Sequence, residues 1–314
     1  MNIKKYFYQE IWNIGIIRHD KPTKVDELTN ICQDKKVYWL QEKYHFQADP
    51  FLVEHNNHLY VFYEALNHTW VKGHLRCRVL DLQMNELDDF AIDDINMLGC
   101  HLSFPQIYYI DNEFYLMPES HENQAIYLFK ATDFPKKWQK ITQISDQPCI
   151  DSVLYFDKNQ GRYIIISNNQ KTLTRHLFVS QDLTEHWQKI NLTDDFIQAD
   201  NTHQRLGGGV IEIDKTLFLP MQEFDRKEYG KSLFIKHIIL PSMENGQAIT
   251  AWQETTECQI KSQSECYPDG LHTLNISEHY VIVDAKRWGF QPLNFFVRKY
   301  RQIRQKFYFL SKNK

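Results

Sequence analysis

Several polar side chains sit where a chain of apolar runs would otherwise place valine or leucine. Asp49, His101 with Ser103, Asp151, Arg205 and His272 each open or immediately precede such a run, and Glu64 and Glu119 close two of them. An arginine in such a set suits bidentate binding of a carboxylate or phosphate and does not suit protonation of a leaving group. Two histidines at equivalent starts fit contacts to sugar hydroxyls or to an anion. Gln222, Asp225 and Tyr229 follow the fourth run and read as a rim loop. Each residue also has a plain structural reading. Asp49-Pro50 can simply begin a strand, because proline is tolerated at a strand's first residue, and a single histidine is commonly a packing residue.

The elements that must position these groups are hairpins. Residues 48–64, ADPFLVEHNNHLYVFYE, give an apolar strand, the polar turn Asn56-Asn57 and an alternating aromatic strand. Residues 104–119, 151–167, 208–222 and 270–286 repeat the pattern, at steps of 55, 47, 57 and 62 residues when counted from Asp49, Phe104, Asp151, Gly208 and Gly270. The strings IYLFKATDFPKKWQKI and RHLFVSQDLTEHWQKI match each other as outer strands of equivalent units. A repeat of this length with two to four strands per unit predicts a β-propeller, and five units predict five blades. One hairpin cannot bury its apolar face alone, whereas a ring leaves no long exposed edge. We therefore expect one all-β, five-bladed domain over residues 1–293, closed by a terminal strand near 12–17. Residues 20–34 and the acidic stretch 85–96 read as connectors. Outer strands of the fourth unit are expected at 232–240 and 250–255. The glycines at 207–209 precede a strand and lack a following Lys-Ser/Thr, so they read as close packing and not as a phosphate loop.

With 314 residues, 42% apolar content, 20 Phe, 17 Tyr and 7 Trp, the chain can fill a packed core. The aromatic load also suits sugar-facing surfaces. A net charge of −4 argues against a nucleic-acid partner. The six cysteines show no zinc-type spacing and read as packing residues of a reduced, cytoplasmic protein. Gln9, Glu10 and Asn13 interrupt the apolar start, which is therefore not a secretory signal. No cofactor or metal is called for by the spacing. Residues 294–314 form a basic tail with helical periodicity at Phe296, Tyr300, Ile303 and Phe307; from Phe295 onward it has seven basic residues and no acidic one, leaving −11 for the rest. It reads either as a helix docked on the barrel side or as a peripheral contact with the inner face of an anionic membrane.

The strings HLSFPQIYYIDNEFYLMPES, DSVLYFD, HQRLGGGVIEID and GLHTLNISEHYVIVDAKR, together with residues 48–64, resemble the five-bladed propeller at the N-terminus of plant glucosamine inositolphosphorylceramide transferase. The same domain is found in bacterial proteins of surface-polysaccharide synthesis, some fused to formyltransferase-like domains, and it is more distantly similar to glycoside hydrolase family 43. The likeness runs from about Trp12 to Arg287. It implies a carbohydrate-active protein, although the plant protein's separate transferase domain has no counterpart in the likeness.

By resemblance to family 43, Asp49 takes the position of the base and Asp151 that of an orienting acid. Inversion also needs a carboxyl acid set apart from the base by room for a water. The family's acid is expected near residues 205–208, where this chain has Arg205. Glu64 and Glu119 end second strands and are expected off the funnel axis. A donor with a diphosphate leaving group needs no strong protein acid, so glycosyl transfer from an activated sugar is the first expectation. There Asp49 activates the acceptor, Arg205 holds the leaving group, Asp151 or Glu119 assists, and His101, Ser103, Gln222, Tyr229, His272 and Glu64 line the saccharide or nucleotide-sugar site. A family 43-type hydrolase and a non-catalytic glycan-binding module are the alternatives; the hydrolase requires a glutamate within reach of the funnel. His272 stands where family 43 has a histidine facing a central ion.

Overall fold

Asn56 and Asn57 both adopt positive φ (47° and 59°), and so do Asp111 with Asn112 and Asp214 with Lys215. Turns of this kind match the right-handed twist of paired strands, so each forces a tight hairpin. The computed structural model describes residues 7–30, 37–67, 72–190, 192, 205–224, 229–244, 247–248, 250 and 252–312. Its strands in chain order are β1 Tyr8–Arg18, β2 Tyr38–Trp39, β3 Phe46–His55, β4 His58–Leu66, β5 His74–Asp81 and β6 Glu86–Ala91. The next sheet holds β7 Ser103–Ile110, β8 Glu113–Ser120, β9 Ala125–Asp133 and β10 Lys137–Ser145, and the third β11 Cys149–Asp157, β12 Arg162–Asn169, β13 Arg175–Ser180 and β14 Gln188–Ile190. Then come β15 Ile211–Ile213, β16 Thr216–Phe224, β17 Tyr229–Ile239, the short pair β18 Met243–Glu244 and β19 Gln247–Ala248, β20 Gln253–Ile260, β21 Leu274–Ile276 and β22 Tyr280–Phe290.

β15, β16, β17 and β20 form the fourth four-stranded sheet. The remaining sheet, β21-β22-β1-β3-β4-β5-β6 with β2 beside β1, is two groups joined by one parallel pair, Trp12 with Phe46. Apart from the short pair β18–β19, the described strands thus fall into five four-stranded groups, consistent with five blades. β1 pairs with β22 along its whole length, from Tyr8↔Phe290 to Arg18↔Tyr280, so the N-terminal strand completes the last blade.

Second strands are apolar on both faces because each blade is packed on two neighbours. Phe62 of β4 points into a cluster with Leu116 and Trp138 of the next blade, while Leu59, Val61 and Tyr63 meet Ile14, Ile16 and Ile282 of the last. Ile165 of β12 meets Met117 and Leu128 behind it, while Ile164 and Ile166 meet Leu219 and Met221 ahead. Val281 and Val283 of β22 pack on Leu233 and Ile235, which closes the circle.

The acidic stretch 85–96 is not a bare connector. It is the outer strand β6 followed by a short helix, α2, at Asp93–Asn96, after the helix α1 at Val25–Asn30. Its acids are spent on the blade: Asp89 receives Lys43, Arg76 and Arg78 at 2.8–3.2 Å. An outer strand is half exposed, so ion pairs replace the apolar alternation by which strands are read. Within 20–34, α1 forms around the buried Leu28. In the fourth unit the outer strands run Tyr229–Ile239 and Gln253–Ile260, a few residues off the expected spans. The tail is a helix, α3, at Asn294–Lys312.

Candidate active site

β3, β7 and β11 break their ladders at the same place, between Ala48 and Phe51, Ser103 and Gln106, and Ile150 and Val153. Each break holds a residue at positive φ: Asp49 (51°), Phe104 (47°) and Asp151 (51°). Aspartate tolerates this region better than most residues, and such bulges re-aim a side chain. In the second blade the equivalent position belongs to Phe104, not to His101 or Ser103 as expected. Phe104 is buried edge-on against Phe51 at 4.9 Å. The residues ahead of the breaks pair with Glu64, Glu119 and Asn168 in turn. Glu64 and Glu119 are therefore register equivalents on adjacent blades. Both are buried in the charge field of Arg205, which corrects the expectation that they lie off the axis.

Arg205 binds Asp151 in bidentate fashion, Nε and Nη2 each donating at 2.7 Å, and stacks over the Tyr229 ring at 5.6 Å. The backbone N–H of Asp151 donates to Glu119 Oε2 at 2.9 Å, and Glu119 Oε1 lies 2.7 Å from His121 Nδ1. Burial drives Glu119 up, but the His121 contact, Arg205 and the Asp151 N–H hold it down to about 2. His121 is raised against its own burial by the same contact. Glu119 is thus a fixed anion and not a proton donor.

A second group surrounds Asp49. Its backbone N–H donates to Asp284 Oδ2 (2.9 Å) and its Oδ1 accepts from Thr273 Oγ1 (3.0 Å). His272 is fully buried, with Nε2 at 3.3 Å from Asp49 Oδ1 and Nδ1 at 2.8 Å from Asp284 Oδ1, and Trp12 packs on its ring at 4.2 Å. Both nitrogens are at ion-pair distance without meeting a carboxylate in hydrogen-bond geometry. Burial lowers the imidazole's basicity, yet Asp284 and then Asp49 raise it overall. Asp49 itself is lifted from 3.8 to about 6, mainly by burial, with His272 pulling down and Asp284, Asp151 and Glu119 pushing up.

Glu64 differs from both. Its Oε1 is buried with no hydrogen-bond partner among the described residues, although His101 Nε2 stands 3.5 Å away. His101 Nδ1 accepts from the Gly73 N–H at 2.8 Å, which leaves the ring proton on Nε2, facing Glu64. Burial, then Asp49 and Glu119, push the Glu64 carboxyl well above the usual range. The result is a neutral carboxylic acid beside an ionisable Asp49, the pairing that separates acid and base roles.

The other predicted residues support this ring. Ser103 is buried and pairs with Glu119 in the ladder. Gln222 lies within β16, donating to the Leu206 carbonyl at 2.7 Å, and Tyr229 begins β17 against Trp12 and His272, so neither is on a rim loop. Asp225 lies outside the described residues. At 207–209 a Cβ on Gly208 would meet the Leu274 carbonyl at 2.0 Å, in keeping with a packing role. Asp284, Thr273 and His121 were not singled out from sequence. The signals were present: one acid inside the apolar run VIVDA, and a histidine directly after PES.

Asp49, His272 and Asp284 bring three potential ligand atoms within 4.8 Å of one another. The carboxylates of this group already have partners among the described residues. Asp284 Oδ1 accepts the N–H groups of His272 and Thr273, Oδ2 accepts that of Asp49, and the His272 ring, its basicity raised by both carboxylates, stands between them. It fits a buried ion-pair network better than the central ion facing a lone histidine.

The ring of four-stranded groups is a β-propeller, and its fold is shared with solved glycoside hydrolases. The chain is similar to a thermostable family-43 glycoside hydrolase (TM-score 0.52, 12% identity, covering 78% of this chain and 90% of that one). It is also similar to the RS223 β-xylosidase (TM-score 0.50, 12% identity, 77% and 92%). The chain belongs to the family of the N-terminal domain of glucosamine inositolphosphorylceramide transferase 1, whose sequence profile matches residues 10–263. The transferase of that name from Arabidopsis thaliana is 24% identical over 257 residues, 74% of this chain and 33% of the relative. Its counterpart from Oryza sativa subsp. japonica is 26% identical over 186 residues, 57% and 24%. The chain therefore spans about a third or less of the length of these relatives.

Proposed function

We propose that the propeller centre is a glycosidic-bond active site in which Asp49 is the general base and Glu64 the proton donor. The observation that carries this reading is the buried Glu64 carboxyl, whose Oε1 has no hydrogen-bond partner among the described residues and whose pKa burial and Asp49 push well above the usual range. In a cleavage with inversion Asp49 takes a proton from the attacking water, the anomeric bond breaks, and Glu64 gives its proton to the departing oxygen. Arg205, Asp151, Glu119 and His121 form a charge-balanced wall that orients the sugar. Hydrolysis is our first reading and transfer the second, supported by the buried Glu64 and by the commitment of two Arg205 nitrogens to Asp151.

Glycosyl transfer is the second reading, supported by the names of the family's curated members. There Asp49 deprotonates an acceptor hydroxyl, and Arg205 reaches the leaving group with Nη1. Leaving-group dependence separates the two. With a panel of aryl glycosides, Glu64→Gln should lose about 10²–10⁴-fold in kcat against poor leaving groups and much less against nitrophenolate. An equal loss across the panel would remove Glu64 as the acid. Turnover by wild type of nucleotide sugars alone, abolished in Arg205→Ala, would move the assignment to transfer.

A further inference from the structure

We propose that α3 is an interfacial anchor that seats the propeller on the surface of an anionic phospholipid bilayer. The helix meets the body along one face. Asn294 is buried and donates to the Tyr8 carbonyl at 2.8 Å, Val297 is half-buried, and Arg301 donates to the Asn67 carbonyl at 2.9 Å and lies 3.0 Å from His45 Nε2. At 3.6 residues per turn, Phe296, Tyr300 and Ile303 fall on the opposite face. Those three side chains are between 47% and 66% exposed. The apolar surface continues back along the chain through Leu293 (64%), Phe290 (61%) and Trp288 (47%). A helix that merely completed the ring would turn this stripe inward; here Asn294, Val297 and Arg301 face the body, while the aromatic stripe and the neighbouring Arg298, Lys299 and Arg304 are exposed.

Charge selects the occupant. Lys299 and Arg304 flank the stripe, and the seven basic residues from Arg298 onward have no acidic neighbour on the helix. Pairing two copies stripe to stripe would bring two such runs together, whereas an anionic lipid surface neutralises them while burying the aromatics. No described helix is long and apolar enough to cross a membrane, so α3 would lie in the interface plane. His45 and Asn67, on which Arg301 is seated, flank β3 and β4 at the ends carrying Asp49 and Glu64. The helix and the acidic centre therefore share one end of the ring.

The test is flotation of the full chain with vesicles of phosphatidylcholine alone or with about 30 mol% phosphatidylserine. Binding is expected only to the anionic vesicles, weakening as salt shortens the Debye length. Lys299→Glu and Arg304→Glu should each lower the partition coefficient about fivefold or more. A triple Phe296→Ser, Tyr300→Ser, Ile303→Ser variant should abolish binding with the melting temperature little changed, since the ring contacts described for the stripe, Phe296 with Phe295 and Tyr300 with Arg304, lie within the helix. Equal binding to both vesicle types, no binding to either, or dimerisation through the stripe (lost in the triple variant) without vesicle binding would each overturn the proposal.

Discussion

Asp49 and Glu64 are both carboxyls buried in one polar centre, and they differ in what their neighbours do for the charged form. Asp49 has Thr273 donating to it and His272 beside it, and titrates at about 6. Glu64 has a buried oxygen with no hydrogen-bond partner among the described residues and two nearby carboxylates, which with its burial push its carboxyl well above the usual range. The acid limb of the pH–rate profile should therefore lie near 6, because protonation of Asp49 removes the base, and Asp49→Asn should lower kcat by about 10²-fold or more. A rate profile flat from pH 5 to 8 would exclude Asp49 as the titrating base. Arg205 and Asp151 make a different case. Truncating Arg205 to alanine strands a buried carboxylate, and urea unfolding should register a loss of about 3–5 kcal/mol, while the paired variant Arg205→Met with Asp151→Leu should regain much of it.

At the level of elements, the three bulges do the positioning. Each inserts an extra residue at positive φ, a cost aspartate tolerates at Asp49 and Asp151, while in the second blade Phe104 takes the position and packs on Phe51. β1 carries comparable weight. It closes the last blade through its pairing with β22 and delivers Trp12, which is fully buried and packs on both His272 and Phe46. Trp12→Ala should cost about 3–5 kcal/mol and disturb the Asp49–His272 contact as well as the seam between first and last blades. The check is chemical denaturation together with the pH–rate profile, whose acid limb should move along with the stability loss.

For the whole molecule, the titrating groups pull in opposite directions with pH. Asp49 and Glu64 have raised pKa values when folded, so their contribution is full at low pH and is lost as pH rises, through about 6 for Asp49. Glu119 and Glu254 are both held at about 2, so their contribution is present above the ordinary carboxyl range and is lost as pH falls. The melting temperature should peak on the acid side of neutrality, near about pH 5, and Glu64→Gln should flatten the decline above it. A maximum above pH 7, unchanged in Glu64→Gln, would contradict the protonated state assigned to that residue.

The repeat of hairpins, the closing strand and the two inner-strand aspartates were legible in the chain because local turn chemistry and period-two apolar runs encode them. Asn56-Asn57 and IYYIDNEFYL declare hairpins without help from distant residues. The polar outer strand β6 was not legible, since ion pairs with Arg76 and Arg78 take the place of apolar alternation. The count from Asp49 through Phe104 to Asp151 already aligned the three positions, but that each sits in a bulge at positive φ is revealed only by the ladder. The surroundings of Glu64, Glu119 and Arg205 are visible only in the tertiary structure. A carboxyl becomes an acid, an anion or half of an ion pair according to its burial and the charges around it, and those charges come from blades far apart in the chain.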